Sequence, residues 1–298
     1  MRVNFLRLTT VLIIFLIIAG SVSDSMDAMS LPCEGANLVR NFGSNDNGRP
    51  VLGMIFSGTV NVLAAESGEV IFSRGKNDFA SRLPSPLGAW TAIDHGDGLI
   101  SIYSRYAEHN TPFTETYVEK QQPIAVSGTS GWSAQEGFYF IVFDRHERRW
   151  INPEMIITPA QETRPPQILS VNLRNAQGAM MQSNNLSQGR YTVVVGVAGG
   201  TPRNIQTSAY SQQYAPQRIV CSVNGAEVGS LNFEAVSARD GVLMLYRNGL
   251  VPAKQIYSNV SSYEAAEVFL TRGQVTLEVI VQDITGNSRS VINRLYVN

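Results

Sequence analysis

Residues 121–144 read QQPIAVSGTSGWSAQEGFYFIVFD and contain two apolar runs, PIAVSG and FYFIVFD, joined by a turn rich in Gly and Ser. A short apolar run bounded by turn-forming residues is typical of a β-strand. Runs of the same kind precede this stretch, and each is bounded by Gly, Pro, Asn, Asp or Ser: TVNVLAA, GEVIFS, WTAIDHG and LISIYSRY. The pattern predicts an antiparallel sheet whose strands follow one another through turns.

A second series of strands follows a change of composition at TPAQETRPPQ, where Pro165 and Pro166 favour an extended linker over a helix. Beyond it, roughly eight short β-like runs without a helical period predict an antiparallel sandwich. The last of them, VTLEVIVQDITGNSRSVINRLYV, resembles the final hairpin of bacterial immunoglobulin-like domains. We therefore expect an all-β chain with one domain at residues 48–159, a linker at 160–167 and an immunoglobulin-like β-sandwich at 168–298.

The N-terminus predicts export. Two arginines precede the apolar stretch LTTVLIIFLIIAG at residues 8–20, and small polar residues follow. This order is typical of a secretory signal peptide. Cleavage after Ser23 would make residues 1–23 the signal peptide; an uncleaved anchor is the alternative. Residues 24–47 are polar and turn-rich and are expected to form a leader segment. The mature chain is then expected in the periplasm or outside the cell, without a transmembrane domain.

The order of motifs in residues 48–159 resembles the LytM/lysostaphin-type zinc peptidase domain. Gly53 in VLGMIFSG corresponds to the glycine of the family's His-x-Gly-x-Asp motif, and IDHGDG at residues 93–98 corresponds to its His-Gly turn. The segment QQPIAVSGTSG corresponds to the family's G-x-x-I-A-x-S-G-x-[ST]-G, with Gln in place of the first Gly, and INP at residues 151–153 corresponds to the closing motif. Each piece is short, so their order and spacing carry the resemblance.

The resemblance implies a zinc ion held by the His and Asp of the first motif and by the second His of a His-x-His strand, with a bound water as nucleophile. At these positions the chain has Val51 and Ile55 for the first pair, and Phe138 and Phe140 for His-x-His. Arg105 stands at the histidine of the family's Tyr-x-His turn. Because Val, Ile and Phe do not ligate zinc, we expect no metal, no cofactor and no catalytic residue, with the two phenylalanines filling the former cavity.

The histidine count leads to the same expectation without an alignment. The chain has three histidines, none before residue 95 and no two at His-x-His spacing. His95 lies in DHGDG and is interpreted as a turn residue; an unrelated metal site built from Asp94, His95, Asp97 and His109 is the alternative. His146, in DRHERRW, is expected in a solvated hairpin turn.

Three residues are predicted to border a binding groove: Arg105, Trp132 and Tyr139. Aromatic side chains in a groove suit contact with a peptide or a sugar. The serines near residues 127–133 have no base at a recognisable spacing, so serine catalysis is not expected. The expected function is non-catalytic: an envelope protein that binds peptidoglycan or regulates a cell-wall hydrolase such as an amidase. An active metallopeptidase with a rearranged site and a purely structural envelope protein are the alternatives.

Charge and cysteine content bear on the possible partners of the chain and on the state of its thiols. The formal net charge is −1, and no basic run or aromatic-plus-Arg stripe occurs, which argues against nucleic acid as a partner. Cys33 and Cys221 are the two cysteines, and both a disulfide and buried free thiols stay open. The polar loop at residues 201–217 is long for a sandwich connection, and a functional loop and a disordered crossover are equally compatible with it.

Overall fold

The computed structural model describes residues 28–75, 83–108, 113–157, 163–198, 201–202, 214–259 and 262–298. The predicted signal peptide, His109 and most of the loop 201–217 lie outside these residues. Regular structure in the described part consists of strands and two one-turn 3-10 helices, Pro153–Met155 and Ala253–Gln255. The predicted all-β fold is confirmed. No helix in the described part is long and apolar enough to cross a membrane.

The strands of the N-terminal half build one antiparallel sheet and two small ribbons. They are β1 (Asn37–Arg40), β2 (Asn45–Asp46), β3 (Arg49–Pro50), β4 (Gly53–Ser57), β5 (Asn61–Leu63), β6 (Gly68–Arg74), β7 (Ala89–Asp94), β8 (Leu99–Tyr106), β9 (Tyr117–Val118), β10 (Pro123–Val126), β11 (Gly137–Asp144) and β12 (Arg149–Ile151). In the sheet, β11 lies between β8 on one side and β4 and β12 on the other, and β7, β6 and β9 continue beyond β8. β5 and β10 form one separate ribbon, and β2 and β3 form the other.

Most strands of the C-terminal half form two facing sheets, and two short strands, Thr163–Arg164 and Thr201–Pro202, pair separately. They are β13 (Thr163–Arg164), β14 (Gln167–Asn175), β15 (Asn185–Leu186), β16 (Gly189–Ala198), β17 (Thr201–Pro202), β18 (Arg218–Val223), β19 (Ala226–Arg239), β20 (Val242–Arg247), β21 (Leu250–Pro252), β22 (Tyr257–Asn259), β23 (Ser262–Leu270), β24 (Gly273–Gln282) and β25 (Ser288–Val297). One sheet has the order β14-β16-β23-β22, and the other contains β25, β24, β18 and β19. Val195 of β16 and Val279 of β24 are fully buried in the core that these sheets share, as in a β-sandwich.

A continuous sheet joins the two halves. β12 pairs with β19 in antiparallel register, with Trp150 opposite Val236. Just after β12, the buried Asn152 makes two further hydrogen bonds to β19. Its backbone N–H donates to the Glu234 carbonyl at 2.8 Å, and its Nδ2 donates to the Phe233 carbonyl at 3.1 Å. We therefore expect the halves to move together and to stabilise one another.

The segment expected to be a leader is part of both cores. Over residues 28–47, β1 pairs with β4, and Leu38 is fully buried in the N-terminal core. Phe42, four residues later, is fully buried in the C-terminal core. The Tyr257 hydroxyl donates to the Gly43 carbonyl at 2.8 Å. The polar composition of this segment reflects its turns, while its scattered apolar residues link the two halves.

Candidate binding site

Strand β11 separates two apolar clusters, and alternate residues point to opposite sides. Phe138 and Phe140 enter the N-terminal core with 1% and 0% exposure. The Phe138 ring stacks on Phe56 with centroids 4.9 Å apart, and the Phe140 ring lies 5.2 Å from Tyr103. Both phenylalanines are therefore core residues of the N-terminal half.

The other face of β11 carries a second cluster made by Val51, Tyr139 and Ile141, with Ile55 packed against it. Ile55 lies directly opposite Tyr139 in the β4–β11 pairing. The expectation that Val51 and Ile55 share a cavity with Phe138 and Phe140 is thus corrected, because those residues lie on different sides of the sheet. A shift of one residue along a strand moves every side chain to the other face. On this face, Tyr139 is the residue of β11 that lies beside Val51 and Ile55.

Arg105 reaches the same face from β8. Its backbone has φ +65°, a left-handed conformation that residues other than glycine adopt infrequently, and its N–H donates to the Leu87 carbonyl at 2.8 Å. The guanidinium carbon lies 4.9 Å from the centre of the Tyr139 ring, a cation–π contact. Arg105 Nε is buried and has no hydrogen-bond partner within the described part of the chain. The predicted pair Arg105 and Tyr139 is therefore in direct contact.

The Tyr139 hydroxyl is fixed by the backbone of the segment that contains Val51. It accepts a hydrogen bond from the Leu52 N–H at 2.7 Å. Burial raises the pKa of Tyr139 well above its ordinary value, and Asp46 adds to this effect while Arg105 opposes it. The phenol is consequently neutral near pH 7. Leu52 and Asp46 escaped the sequence analysis because the signal for them is tertiary: Leu52 bonds to Tyr139 and Asp46 acts on its charge only in the folded chain.

Trp132 lies at the rim of the site and exposes 77% of its surface. Its backbone N–H donates to the Pro86 carbonyl at 3.1 Å, next to the Leu87 carbonyl that receives Arg105. The turn before Trp132 approaches the same loop so closely that a side chain at Gly131 would lie 2.5 Å from the Gly88 nitrogen. The loop around Leu87 thereby connects Trp132 at the rim with the Arg105–Tyr139 pair.

The donor set on this face does not fit a zinc ion. Val51 and Ile55 offer no lone pair, Arg105 brings a positive charge that repels a cation, and Tyr139 is a neutral phenol whose hydroxyl already accepts a hydrogen bond. Within the described ranges, no three His, Cys, Asp or Glu side chains lie together as a metal-binding group. No catalytic step through a metal follows from these residues.

His95, the most conspicuous histidine of the sequence, takes part in a buried polar network. Its Nδ1 lies 2.7 Å from the Ser67 carbonyl oxygen and its Nε2 lies 2.8 Å from Ser101 Oγ, which is hydrogen-bonded to the Tyr103 hydroxyl. Since a carbonyl only accepts, Nδ1 carries a proton. These contacts tie the turn after β7 to the core, as expected of a turn residue. His146 lies in the exposed β11–β12 turn.

The three serines at residues 127–133 all donate hydrogen bonds to backbone carbonyls, Ser133 to that of Gln135 at 2.6 Å. Ser127 Oγ donates to the Gly58 carbonyl at 2.7 Å and accepts from the Val60 N–H at 2.9 Å. Ser130 Oγ donates to the Tyr106 carbonyl at 2.6 Å. All three hydroxyls thus have structural partners.

Comparison with known proteins gives a family match for the N-terminal half. Residues 53–153 match the model of Peptidase family M23, and a second family model, which carries no description of a function, matches residues 165–298. A search of curated proteins gave no match.

Solved structures with an overall likeness include M23 peptidases. The catalytic domain of the prophage-encoded M23 protein EnpA from Enterococcus faecalis, as a mutant, is 17% identical over 43% of this chain and 95% of its own, with a TM-score of 0.35. The catalytic domain of lysostaphin from Staphylococcus simulans is 21% identical over 37% of this chain and 81% of its own, with a TM-score of 0.31. SpoIIQ–SpoIIIAH, described as a pore forming complex, gives 21% identity over 45% of this chain and 92% of the matched chain, with a TM-score of 0.35.

The family match, not these overall scores, carries the assignment. It begins at Gly53 and ends at Pro153, the positions at which the motif order resembles the LytM/lysostaphin type. Residues 53–153 therefore form an M23-type domain of the LytM/lysostaphin kind, and an all-β region that folds as a β-sandwich follows it.

Proposed function

We propose that this chain is a non-catalytic envelope protein whose M23-type domain binds peptidoglycan or a cell-wall hydrolase. The observation that carries the proposal is the Arg105–Tyr139 pair, which lies with Val51 and Ile55 on one face of the sheet. These side chains cannot supply hydrolytic chemistry by the family's route, because Val51 and Tyr139 are buried in an apolar cluster and Arg105 packs on the Tyr139 ring.

Binding tolerates the loss of a metal better than hydrolysis does. Contacts with a peptide or a partner strand come from the walls of a groove, whereas hydrolysis needs stabilisation of a transition state. Trp132 supports this role because a large aromatic side chain exposed to 77% is well suited to be covered by a partner. The bonds around Leu87 and Gly88 hold the rim in place, so little ordering is needed on binding.

Export completes the proposal. The order of basic, apolar and small residues in the first 23 positions favours a secretory signal peptide, which would bring the mature chain to the periplasm or the cell surface. There the C-terminal sandwich serves as a rigid spacer or second binding module, since β12 and β19 join it to the M23-type domain in one sheet.

Co-sedimentation of the mature chain with purified sacculi tests the proposal, alongside release of dye from labelled sacculi and a repeat with an added amidase. We expect sedimentation or altered amidase activity without dye release by the protein alone. Trp132→Ala should reduce binding, while Phe269→Ala, which removes an aromatic ring exposed to 60% on the C-terminal half, should not. Dye release by the protein alone would favour a rearranged metallopeptidase. Absence of binding in every format, with folding verified by circular dichroism, would leave a structural role.

A further inference from the structure

We infer that a cleft at the junction of the two halves binds an uncharged saccharide. The cleft has a volume of about 410 Å³, within the range of about 300–1,000 Å³ that is usual for small-molecule sites. The inference goes beyond the proposed function, because this is a second site that does not include Arg105, Tyr139 or Trp132. Its lining takes Glu147 and Arg149 from the N-terminal half and Asn232, Glu234, Tyr246 and Leu250 from the C-terminal half.

A long bulge in β19 opens the cleft. Asn232 lies opposite Tyr246 of β20, and Ser237 lies opposite Met244, so four residues of β19 stand against one residue of β20. The two strands separate here, and the residues at which they separate, Asn232, Ser237 and Tyr246, line the cleft. The last residues of the bulge pair with β12 of the M23-type domain. A bulge that separates strands at a domain junction is a setting in which binding sites are frequently found.

Hydrogen bonds hold both walls of the cleft. Tyr246 and Leu250 lie directly opposite each other in the β20–β21 hairpin, and the side chain of Asn248 in the turn of this hairpin is hydrogen-bonded to the backbone of β19 at two points. On the other wall, the Asp144 carboxylate accepts a hydrogen bond from the Glu147 N–H at 3.0 Å. The cleft is thus formed before a ligand arrives, so little ordering of the protein is needed on binding.

The polar groups of the lining favour an uncharged ligand with several hydroxyls. The carboxylates of Glu147 and Glu234 have no hydrogen-bond or ion-pair partner within the described part of the chain, and they repel an anion. Arg149, whose Nε pairs with Asp144 at 3.4 Å, brings a positive charge to the same lining and disfavours a cation. A hydroxyl both donates and accepts, so a saccharide can donate to the carboxylates and accept from Arg149 and from the Asn232 amide.

The apolar wall of the cleft suits the same ligand. Tyr246 and Leu250 are 48% and 49% exposed, and they lie side by side on one face of the hairpin. The C–H face of a pyranose ring is apolar and packs on a flat aromatic ring, while the hydroxyls at its edge reach polar groups around it. A purely apolar ligand would leave the carboxylates and the guanidinium without partners.

The test is an NMR titration of the mature chain with two uncharged probes, cellotriose and N,N′,N″-triacetylchitotriose, and with the cationic peptide acetyl-Gly-Lys-Gly-amide. We expect saturable shifts at Tyr246 and Leu250 with at least one saccharide, at lower concentration than the peptide requires. Tyr246→Ala removes the aromatic wall and should weaken saccharide binding about tenfold or more. Tyr296→Ala, which removes a tyrosine exposed to 52% on β25, should leave it unchanged.

Absence of saturable shifts with both saccharides would overturn the inference, and so would tighter binding of the peptide. Undiminished saccharide binding by folded Tyr246→Ala would place the ligand elsewhere and would also refute the cleft site. If Tyr246→Ala does not fold, Glu147→Gln takes its place, and loss of this exposed acceptor should weaken binding several-fold. Sacculus binding that depends on Trp132, together with any of these negative results, would leave the proposed function standing.

Discussion

Truncation of Phe140 is the sharpest test of which face of β11 forms the core. The side chain is fully buried, its ring lies 5.2 Å from Tyr103, and Met54 stands opposite it on β4. Removal of a buried Phe side chain leaves a cavity and lowers the free energy of unfolding by about 3–5 kcal/mol. Because the site is enclosed by strands on both sides, little collapse is possible, and we expect a value near the middle of that range.

The neighbouring residue provides the matched comparison. Tyr139→Phe keeps the ring and its contact with Arg105 and removes only the acceptor of the Leu52 N–H. The buried amide then lacks a partner, which costs about 1–2 kcal/mol. Trp132→Ala, at the exposed rim, should change the free energy of unfolding by less than about 0.5 kcal/mol. The expected order of destabilisation is Phe140→Ala, then Tyr139→Phe, then Trp132→Ala.

Urea unfolding followed by tryptophan fluorescence measures these differences. All three tryptophans, Trp90, Trp132 and Trp150, lie in the M23-type domain, so the signal reports this half of the chain. With a typical slope of about 2 kcal/mol per molar urea, Phe140→Ala should lower the midpoint by about 2 M. A midpoint for Phe140→Ala no lower than that for Trp132→Ala would refute the assignment of faces.

Three further predictions concern the junction and the thiols. Burial raises the pKa of Glu154 from 4.5 to about 7, with Asp283 adding to the effect, so the folded state keeps a proton that the unfolded chain releases and stability falls as pH rises between these values. At pH 8, the free energy of unfolding of Glu154→Gln should therefore exceed that of the wild type by about 1–3 kcal/mol, whereas near pH 4 the two proteins should be equally stable. The same difference in stability at pH 8 and at pH 4 would contradict this. Asn152→Ala should lower the free energy of unfolding of both halves by about 1–3 kcal/mol, measured by fluorescence and by circular dichroism. An effect on one half alone would speak against coupling of the two halves. Burial raises the pKa of Cys33 and Cys221 to about 12, so Ellman's reagent should find two thiols in guanidinium and react slowly with the native chain, whereas rapid native reaction would show an open core.

The sequence was sufficient for the fold class and the family resemblance because both depend on local signals. Short apolar runs between turn-forming residues predict strands wherever the chain places them. The turn in VQDITGN shows how local such signals are: Asp283 accepts hydrogen bonds from the backbone N–H groups of Thr285 and Asn287 within the loop itself. Such a turn can be recognised from five residues.

The orientation of β11 was not predictable in the same way. Residues 137–142 are buried on both faces of the strand, so its sequence FYFIVF has no alternation of polar and apolar residues that would show which side chains enter the core. The assignment of Phe138 and Phe140 to ligand positions therefore depended on counting residues along the motif. Tyr139 was assigned to the groove without its contact with the cluster that contains Val51. Pairing with β4 settles the orientation, and that contact joins residues far apart in sequence.

The position of residues 28–47 was hidden for a related reason. Their turns give a polar composition, and no periodic pattern marks Leu38 and Phe42 as members of two different cores. The β12–β19 pairing also leaves no local signature, since each strand reads as an ordinary edge or hairpin strand by itself. Contacts between domains are specified by shape and register across the whole surface, which a single sequence does not display.

The contact between Arg105 and Tyr139 has a consequence for the stability of this half of the chain. In the free protein, Arg105 combines a left-handed backbone with a buried Nε that lacks an acceptor, and each of these features is unfavourable by itself. The contact with the Tyr139 ring compensates part of this. The backbone hydrogen bonds from Arg105 to Leu87 and from Leu52 to the Tyr139 hydroxyl hold the pair in place despite these costs. The left-handed backbone and the unpaired Nε are therefore tolerated because the surrounding contacts determine the position of the pair.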